Sequence, residues 1–274
     1  MKLVFPHCFS LITLLPYTIL PSLQILLSFR SYLSPLLRTL IEANCYILAD
    51  SQQRVALVVD PGAGSAEWIE ETLASRRLTL GGVLCTHGHI DHVWDSGLIA
   101  GEAPVYVPGP DLYRMEDPAA MGPAAAGVFP EASGHSWIKP KGAAALPREF
   151  FEGGGGQIVP GVAMRAIPAP GHTEGSSVFL LSGAIDPDRE SVVFPEGVFG
   201  EKLMLSGDVL FRDGVGRTDL PGGDPVAAAE SLRTLAGAID PATVFFPGHG
   251  PSSTMGREKE RSHYLKLAMS GEMA

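Results

Sequence analysis

Thr86-His87-Gly88-His89-Ile90-Asp91-His92 packs three histidines and an aspartate into six consecutive residues of this 274-residue chain. Isolated histidines such as His7, His135 and His263 read as ordinary polar residues; a cluster this dense does not. His87 and His89 lie two apart on a loop and can face one ion, while Asp91 and His92 can turn to a second. A helical His-Glu-x-x-His zinc motif would need a spacing of four, which is not written here. Three further segments offer the same ligand chemistry: Pro170-Gly171-His172-Thr173, Ser206-Gly207-Asp208 and Pro247-Gly248-His249-Gly250. Neutral imidazole and carboxylate suit zinc, iron or manganese. Five histidines and two aspartates are too many for one tetrahedral ion and about right for two ions sharing a bridge. The expectation is a binuclear metallohydrolase.

The segments around these ligands read as strands. Cys45–Asp50 and Arg54–Asp60 form a pair joined by Ser51-Gln52-Gln53, and Val83–Thr86 delivers the histidine cluster onto a loop. Val105–Val107, Val162–Ile167, Ser177–Leu181, Val192–Phe194, Leu203–Leu205 and Thr243–Phe246 are further strands, with Gly153–Gly156 a hairpin turn. Ser65 is placed to cap a helix to about Arg77, Asp224 to cap one to about Ala238 with Pro225 at its first position, and a last helix spans Arg257–Met269. Asp117–Pro147, rich in Ala, Gly and Pro, reads as a long loop, either a lid or substrate wall or a surface insertion. Each ligand sits just past the C-terminal end of a strand, in two similar halves, so two packed sheets with helices outside are expected.

Composition narrows the partners. The chain is 45% hydrophobic and 18% charged, enough for a sizeable core, and its net charge of −10 argues against a nucleic-acid surface. Three cysteines, Cys8, Cys45 and Cys85, give no disulfide framework, which points to a reducing, cytoplasmic compartment. Cys85 reads as a strand-core thiol rather than a ligand. Residues 1–40 stand apart as a hydrophobic extension: Leu3–Phe29 carries no Asp, Glu, Lys or Arg, yet Pro6, Pro16 and Pro21 interrupt it. Two readings stay open. One is a membrane anchor, with Arg30 and Arg38 placing the catalytic domain in the cytoplasm. The other is an upstream extension from a non-native start. The hydrolase domain is set at residues 41–270.

Thr-His-x-His-x-Asp-His, Pro-Gly-His-Thr, Gly-Asp and Pro-Gly-His-Gly, in this order, resemble the metallo-β-lactamase superfamily. Finer features resemble its glyoxalase II-like (hydroxyacylglutathione hydrolase-like) branch: Asn44-Cys45-Tyr46, Val59-Asp60-Pro61-Gly62, Gly171-His172-Thr173-Glu174-Gly175-Ser176, and Gly207-Asp208-Val209-Leu210-Phe211 running into Gly216-Arg217-Thr218-Asp219-Leu220-Pro221-Gly222-Gly223. The likeness covers roughly residues 41–266. It implies an α/β (α+β) fold, the αββα four-layer sandwich, with His87, His89 and His172 on a first metal, Asp91, His92 and His249 on a second, and Asp208 bridging both. It implies two divalent ions, zinc first, with iron or manganese as alternatives, and no organic cofactor.

The chemistry that follows is hydrolysis of a small acyl-thiol substrate. Two adjacent divalent ions would bring the pKa of a shared water to about neutrality, and the resulting hydroxide would attack the acyl carbonyl. Asp91 and Asp208 are the catalytic carboxylates, Asp91 orienting the hydroxide or shuttling its proton. The alternatives within the fold are a persulfide dioxygenase, with a single iron on His87, His172 and Asp208, and a lactonase. Arg217 is expected to hold its own loop rather than touch substrate. Two departures stand out: the hydrophobic extension replaces the family's usual first strand, and the family's Glu-x-x-x-Asn-Pro-aromatic appears as Glu258-Lys259-Glu260-Arg261-Ser262-His263-Tyr264. The larger C-terminal helical domain of eukaryotic glyoxalase II has no room here, so glutathione specificity does not carry over.

Overall fold

Strands β2 (Asn44–Asp50) and β3 (Val55–Val59) pair antiparallel, with Tyr46 opposite Val59 and Leu48 opposite Leu57. Asp50 closes the turn between them by accepting from the backbone N–H of Gln52 and Gln53 at 2.8 and 2.9 Å. Both strands are buried on both faces, and the alternation of side chains sorts them into two layers. Tyr46, Leu48, Leu57 and Val59 face a core shared with the second sheet, whereas Cys45, Ile47, Ala49, Ala56 and Val58 face helices. The computed structural model that shows this describes residues 23–30, 43–50, 52–116, 127, 129–131, 133–182, 185–187 and 202–273.

Helix α1 (Ala66–Arg76) returns the chain to β4 (Thr79–Leu84), which runs parallel to β3. The short helices α2 (Ile90–Val93) and α3 (Ser96–Ala100) lead on to β5 (Val105–Val107), and β6 (Ala143–Ala145) continues the parallel set. At the other edge β1 (Leu23–Arg30) pairs antiparallel with β2 and parallel with β10 (Ile185–Pro187). The first sheet thus has seven strands in the order β10-β1-β2-β3-β4-β5-β6. Residues 23–30, inside the stretch 1–40 that the sequence sets apart, are therefore sheet; 1–22 and 31–40 lie outside the described residues. Among the described residues no helix is long and apolar enough to cross a membrane.

The second sheet takes β7 (Gly156–Gln157), β8 (Ala163–Pro168), β9 (Ser177–Ser182), β11 (Leu203–Gly207), β14 (Val244–Pro247) and β15 (Ser253–Thr254), in the order β15-β14-β11-β9-β8-β7. A hairpin, β12 (Leu210–Phe211) with β13 (Gly214–Val215), stands beside it. Phe179, Leu181, Leu203, Leu205, Val244 and Phe246 complete the core between the sheets. Val178, Met204 and Phe245 face outward onto Leu232 and Leu235 of α4 (Pro225–Ala238) and Leu265 of a C-terminal helix. Three clusters separated by two sheets make four layers: an αββα sandwich.

Several local expectations are corrected. The expected last helix is two, α5 (Met255–Arg261) and α6 (His263–Ser270), because Ser262 is extended and its hydroxyl accepts from the N–H of Leu265. Ser65 makes no side-chain cap on α1; the N–H of Ala66 is taken by Asp95 at 2.9 Å. Gly153–Gly156 is not the hairpin turn, since Gly156 already belongs to β7 and the link to β8 follows it. Asp224 does cap α4, accepting from Val226 and Ala227. The expected strand Val192–Phe194 lies outside the described residues, as do 117–126, 128 and 132 of the long loop, which also contains β6.

Candidate metal centre

Four strands end at the same edge of the sandwich, and each releases a loop that carries ligand-type side chains. After β4 the chain bends at Thr86 and His87, His89 is extended and α2 begins at Ile90, so His87 and His89 project from loop while Asp91 and His92 project from a helical turn. That change of backbone divides the cluster between two groups. His87, His89 and His172 form one; Asp91, His92 and His249 form another; His87, His92 and Asp208 form a third between them. Within each group one ligand atom per residue lies within 4.8 Å of the others. All seven sequence-expected residues meet here.

Asp208 sits between the groups. Its Oδ1 is 3.3 Å from His92 Nε2, and its Oδ2 is 3.4 Å from His172 Nε2 and 3.3 Å from His249 Nε2. Asp91 Oδ2 lies 3.2 Å from His249 Nε2. The imidazoles pack edge to face, with ring centroids of His89 and His172 4.4 Å apart and those of His92 and His249 5.1 Å apart.

The ring nitrogens facing away from the centre are engaged. His92 Nδ1 lies 3.0 Å from Asp60 Oδ2 and His87 Nδ1 3.1 Å from Thr86 Oγ1. His172 Nδ1 donates to the Arg217 carbonyl at 2.7 Å, which leaves its Nε2 as a lone-pair donor. The Arg217 side chain turns away to pair with Asp219 at the surface. By contrast Nε2 of His87, His89 and His172 and Oδ1 of Asp208 are buried with no hydrogen-bond partner among the described residues. Buried polar atoms are nearly always paired. Four that converge unpaired, all of them ligand-type, fit divalent metal.

Electrostatics separates the same groups. Burial pushes the His87 imidazole well below its ordinary value and takes His89 down to about 3, so both present lone pairs. Burial also opposes charge on His92 and His249, but Asp208 and Asp91 outweigh it, holding His92 well above the usual range and His249 at about 10. Burial likewise works against ionised Asp91 and Asp208, yet the adjacent imidazolium groups prevail, bringing Asp91 to about 2 and holding Asp208 well below the usual carboxylate range. Without a metal, protons on His92 and His249 neutralise the two carboxylates; a cation would do the same and displace them.

Residues outside the seven hold the loops. Asp60 accepts from Thr86 N at 2.7 Å and Thr86 Oγ1 at 2.8 Å as well as meeting His92. Asn44 Nδ2 donates to the carbonyls of Pro247 and Gly250, and Tyr46 Oη to Pro247, pinning the loop of His249. Gly248 lets that loop close in: a Cβ there would stand 2.0 Å from Asp208 Oδ1 and 2.6 Å from His92 Cε1. The sequence displays Asp60 and Asn44 but not these roles, because their partners are distant in the chain. Cys85 is buried on the helix side of the first sheet, away from the ligands, and burial pushes its thiol up.

Comparison with known proteins agrees with this geometry. The chain is 33% identical over 231 residues to an uncharacterized protein of Mycobacterium tuberculosis, covering 83% of this chain and 94% of that one. It is 29% identical to hydroxyacylglutathione hydrolase GloC of Haemophilus influenzae, with the same coverage. The crystal structure of BLEG-1 B3 metallo-beta-lactamase superposes with a TM-score of 0.63 at 26% identity, covering 87% of this chain and 98% of that one. The structure of TTHA1623 in a di-iron-bound form superposes with a TM-score of 0.60 at 29% identity, covering 86% and 99%. Residues 38–184 match the family model of the metallo-beta-lactamase superfamily, a span that holds β2 to β9 and five of the seven converging side chains. By that match and by the sandwich that carries these side chains, the chain belongs to the metallo-beta-lactamase superfamily.

Proposed function

We propose that this protein is a binuclear metal-dependent hydrolase of small acyl-thiols, a thioesterase of the hydroxyacylglutathione hydrolase type acting in the cytoplasm. The observation that carries this reading is Asp208, whose carboxylate lies within 3.4 Å of imidazoles from both groups, His172 on one side and His92 and His249 on the other. His87, His89 and His172 would hold one ion, Asp91, His92 and His249 the other, and Asp208 would bridge them, zinc being the first expectation. The resemblance to GloC and to the di-iron form of TTHA1623 supports the same reading. When bound, such a pair of ions supplies a water acidified to about neutrality and an electrophile for the acyl oxygen.

The chain's own residues do the rest. Exposure falls from His249 at 28% and Asp91 at 12% to His92 at 0%, so the open side of the site lies at Asp91 and His249 and the acyl group arrives there. Phe211 stands edge-on to His249 at 5.9 Å and gives that approach an apolar wall. Asp91 is the partly exposed carboxylate able to orient a nucleophilic water and pass its proton outward, while the Nδ1 contacts of His87, His92 and His172 keep their rings from turning.

Elemental analysis of the purified protein, followed by a panel of thioesters, lactones and a β-lactam, tests the proposal. Two ions per chain and thioester turnover abolished in Asp208→Ala and His87→Ala are expected. One iron with O₂ consumption, or turnover confined to the β-lactam or lactone, would overturn it.

A further inference from the structure

Asp111 lies on the 3-10 turn Gly109–Met115 that follows β5, fully buried and remote in sequence from every ligand. Its Oδ2 accepts from the N–H of Gly88 at 2.8 Å and from Thr173 Oγ1 at 2.7 Å, and its Oδ1 accepts from the N–H of Gly175 at 2.7 Å. Gly88 is the residue between His87 and His89; Thr173 directly follows His172. One carboxylate therefore ties together the two loops that present the three-histidine group. None of the three bonds goes to the segments of Asp91, His92 or His249. Arg114, one turn on, extends the strap: its Nε is 3.7 Å from Asp111, and its guanidinium donates to Glu174 at 2.6 Å and to the Pro221 carbonyl at 2.8 Å. On the other side, Asp60 holds Thr86 and His92.

We propose that Asp111 is the positioning residue of the three-histidine subsite, setting the spacing of His87, His89 and His172 and hence the affinity of one ion of the pair. The inference rests on the two-ion reading. A loop beyond a strand end has no ladder to fix it, and imidazoles must be held to within about 0.5 Å of a productive geometry. Loss of the carboxylate takes the acceptor from the N–H groups of Gly88 and Gly175 and leaves Thr173 Oγ1 only Ser176 Oγ, within two loops that must stay in register. Removing groups that orient ligands typically weakens metal binding about 10–100-fold.

The test uses Asp111→Asn and Thr173→Val, each loaded with zinc or cobalt(II) and dialysed against graded chelator. Ion content, the cobalt absorption spectrum and the melting temperature of the metal-free form are read together. One of two ions released at about 10-fold or more weaker affinity in Asp111→Asn, with the cobalt absorption of that ion altered and the other unchanged, is the expected result. Thr173→Val, which deletes one of the three donors and keeps the carboxylate, should weaken the same ion by a smaller factor. Both ions weakened equally, or a lower metal-free melting temperature with unchanged affinities, would overturn the proposal. Should Asp111→Asn fail to fold, an unchanged affinity in Thr173→Val overturns it alone. A wild-type chain that takes up one ion counts against the two-ion reading; whether that ion weakens in the variants still decides the role of Asp111.

Discussion

Gly248→Ala probes the centre with a single methyl group. Gly248 does not adopt a positive φ, so alanine fits its backbone and the substitution acts through contact alone. The new Cβ would stand 2.0 Å from Asp208 Oδ1 and 2.6 Å from His92 Cε1. Asp208 must retreat by about 1 Å to reach even the shortest tolerable separation, and His92 by somewhat less. Neither moves freely. His92 is held at Nδ1 by Asp60, and Asp208 lies on the short turn after β11 with the N–H of Gly248 bonded to the Gly207 carbonyl at 2.8 Å. A displacement of about 1 Å at reacting groups costs on the order of 100-fold in rate, and the loss falls on the one carboxylate that reaches both groups. Thioester hydrolysis in Gly248→Ala is therefore expected to drop about 100-fold in kcat, with fewer than two ions retained after chelator dialysis. The melting temperature of the metal-free chain should change little. Steady-state kinetics, elemental analysis and thermal unfolding together decide it: full ion content with a rate within threefold of wild type would refute the assignment of Asp208 as the bridge.

Other perturbations give equally direct outcomes. Asp60→Ala strips the acceptor from Thr86 N, Thr86 Oγ1 and His92 Nδ1; a loss of about 1–3 kcal/mol in denaturant unfolding is expected, together with weakened binding of one ion. Gly237→Ala, at an exposed position of α4 with open space around it, should raise stability by about 0.5–1 kcal/mol and leave turnover untouched, read by the shift in denaturant midpoint. In the metal-free chain, His92 and His249 have pKa values raised by Asp208 and Asp91 against the pull of burial, His249 to about 10. Their stabilising charge is fully present below the ordinary histidine value and is lost as pH rises through the folded one. Metal uptake at pH 8 must then expel protons, and calorimetry in two buffers of different ionisation enthalpy should report at least one released per chain; none released would contradict the protonated pair.

The seven converging side chains were legible in the sequence because they combine a rare residue type with a local rule. Three histidines and an aspartate in six residues have few structural uses, and the strand-then-loop pattern before His87, Asp208 and His249 says where such residues end up. The spacing of two between His87 and His89, with Asp91 and His92 following, pointed to two groups; the helix α2 that starts between them was not read from the sequence. What was not legible is long-range. Asp60 reads as the end of a strand and Asp111 carries no local signal, and their partners lie 26 and 62 residues away. Asn44 reaches across 203 residues to Pro247. The broken C-terminal helix was missed for a local reason. Good helix formers run up to Arg261 and resume at Leu265, and the extended Ser262, whose hydroxyl accepts from the N–H of Leu265, starts a new helix there.

These distant acids also explain how a site made of loops can be rigid. A polar side chain buried without partners is costly, so a carboxyl group behind these loops calls for donors. Asp60 and Asp111 each find three, all of them on His92 or on the loops around His87 and His172. The dependence runs in both directions. The loops satisfy the buried carboxyl groups, and the carboxyl groups fix the loops. A mutation at either acid should therefore release a specific pair of loops and leave the sandwich, whose core clusters lie between and outside the sheets, folded around them.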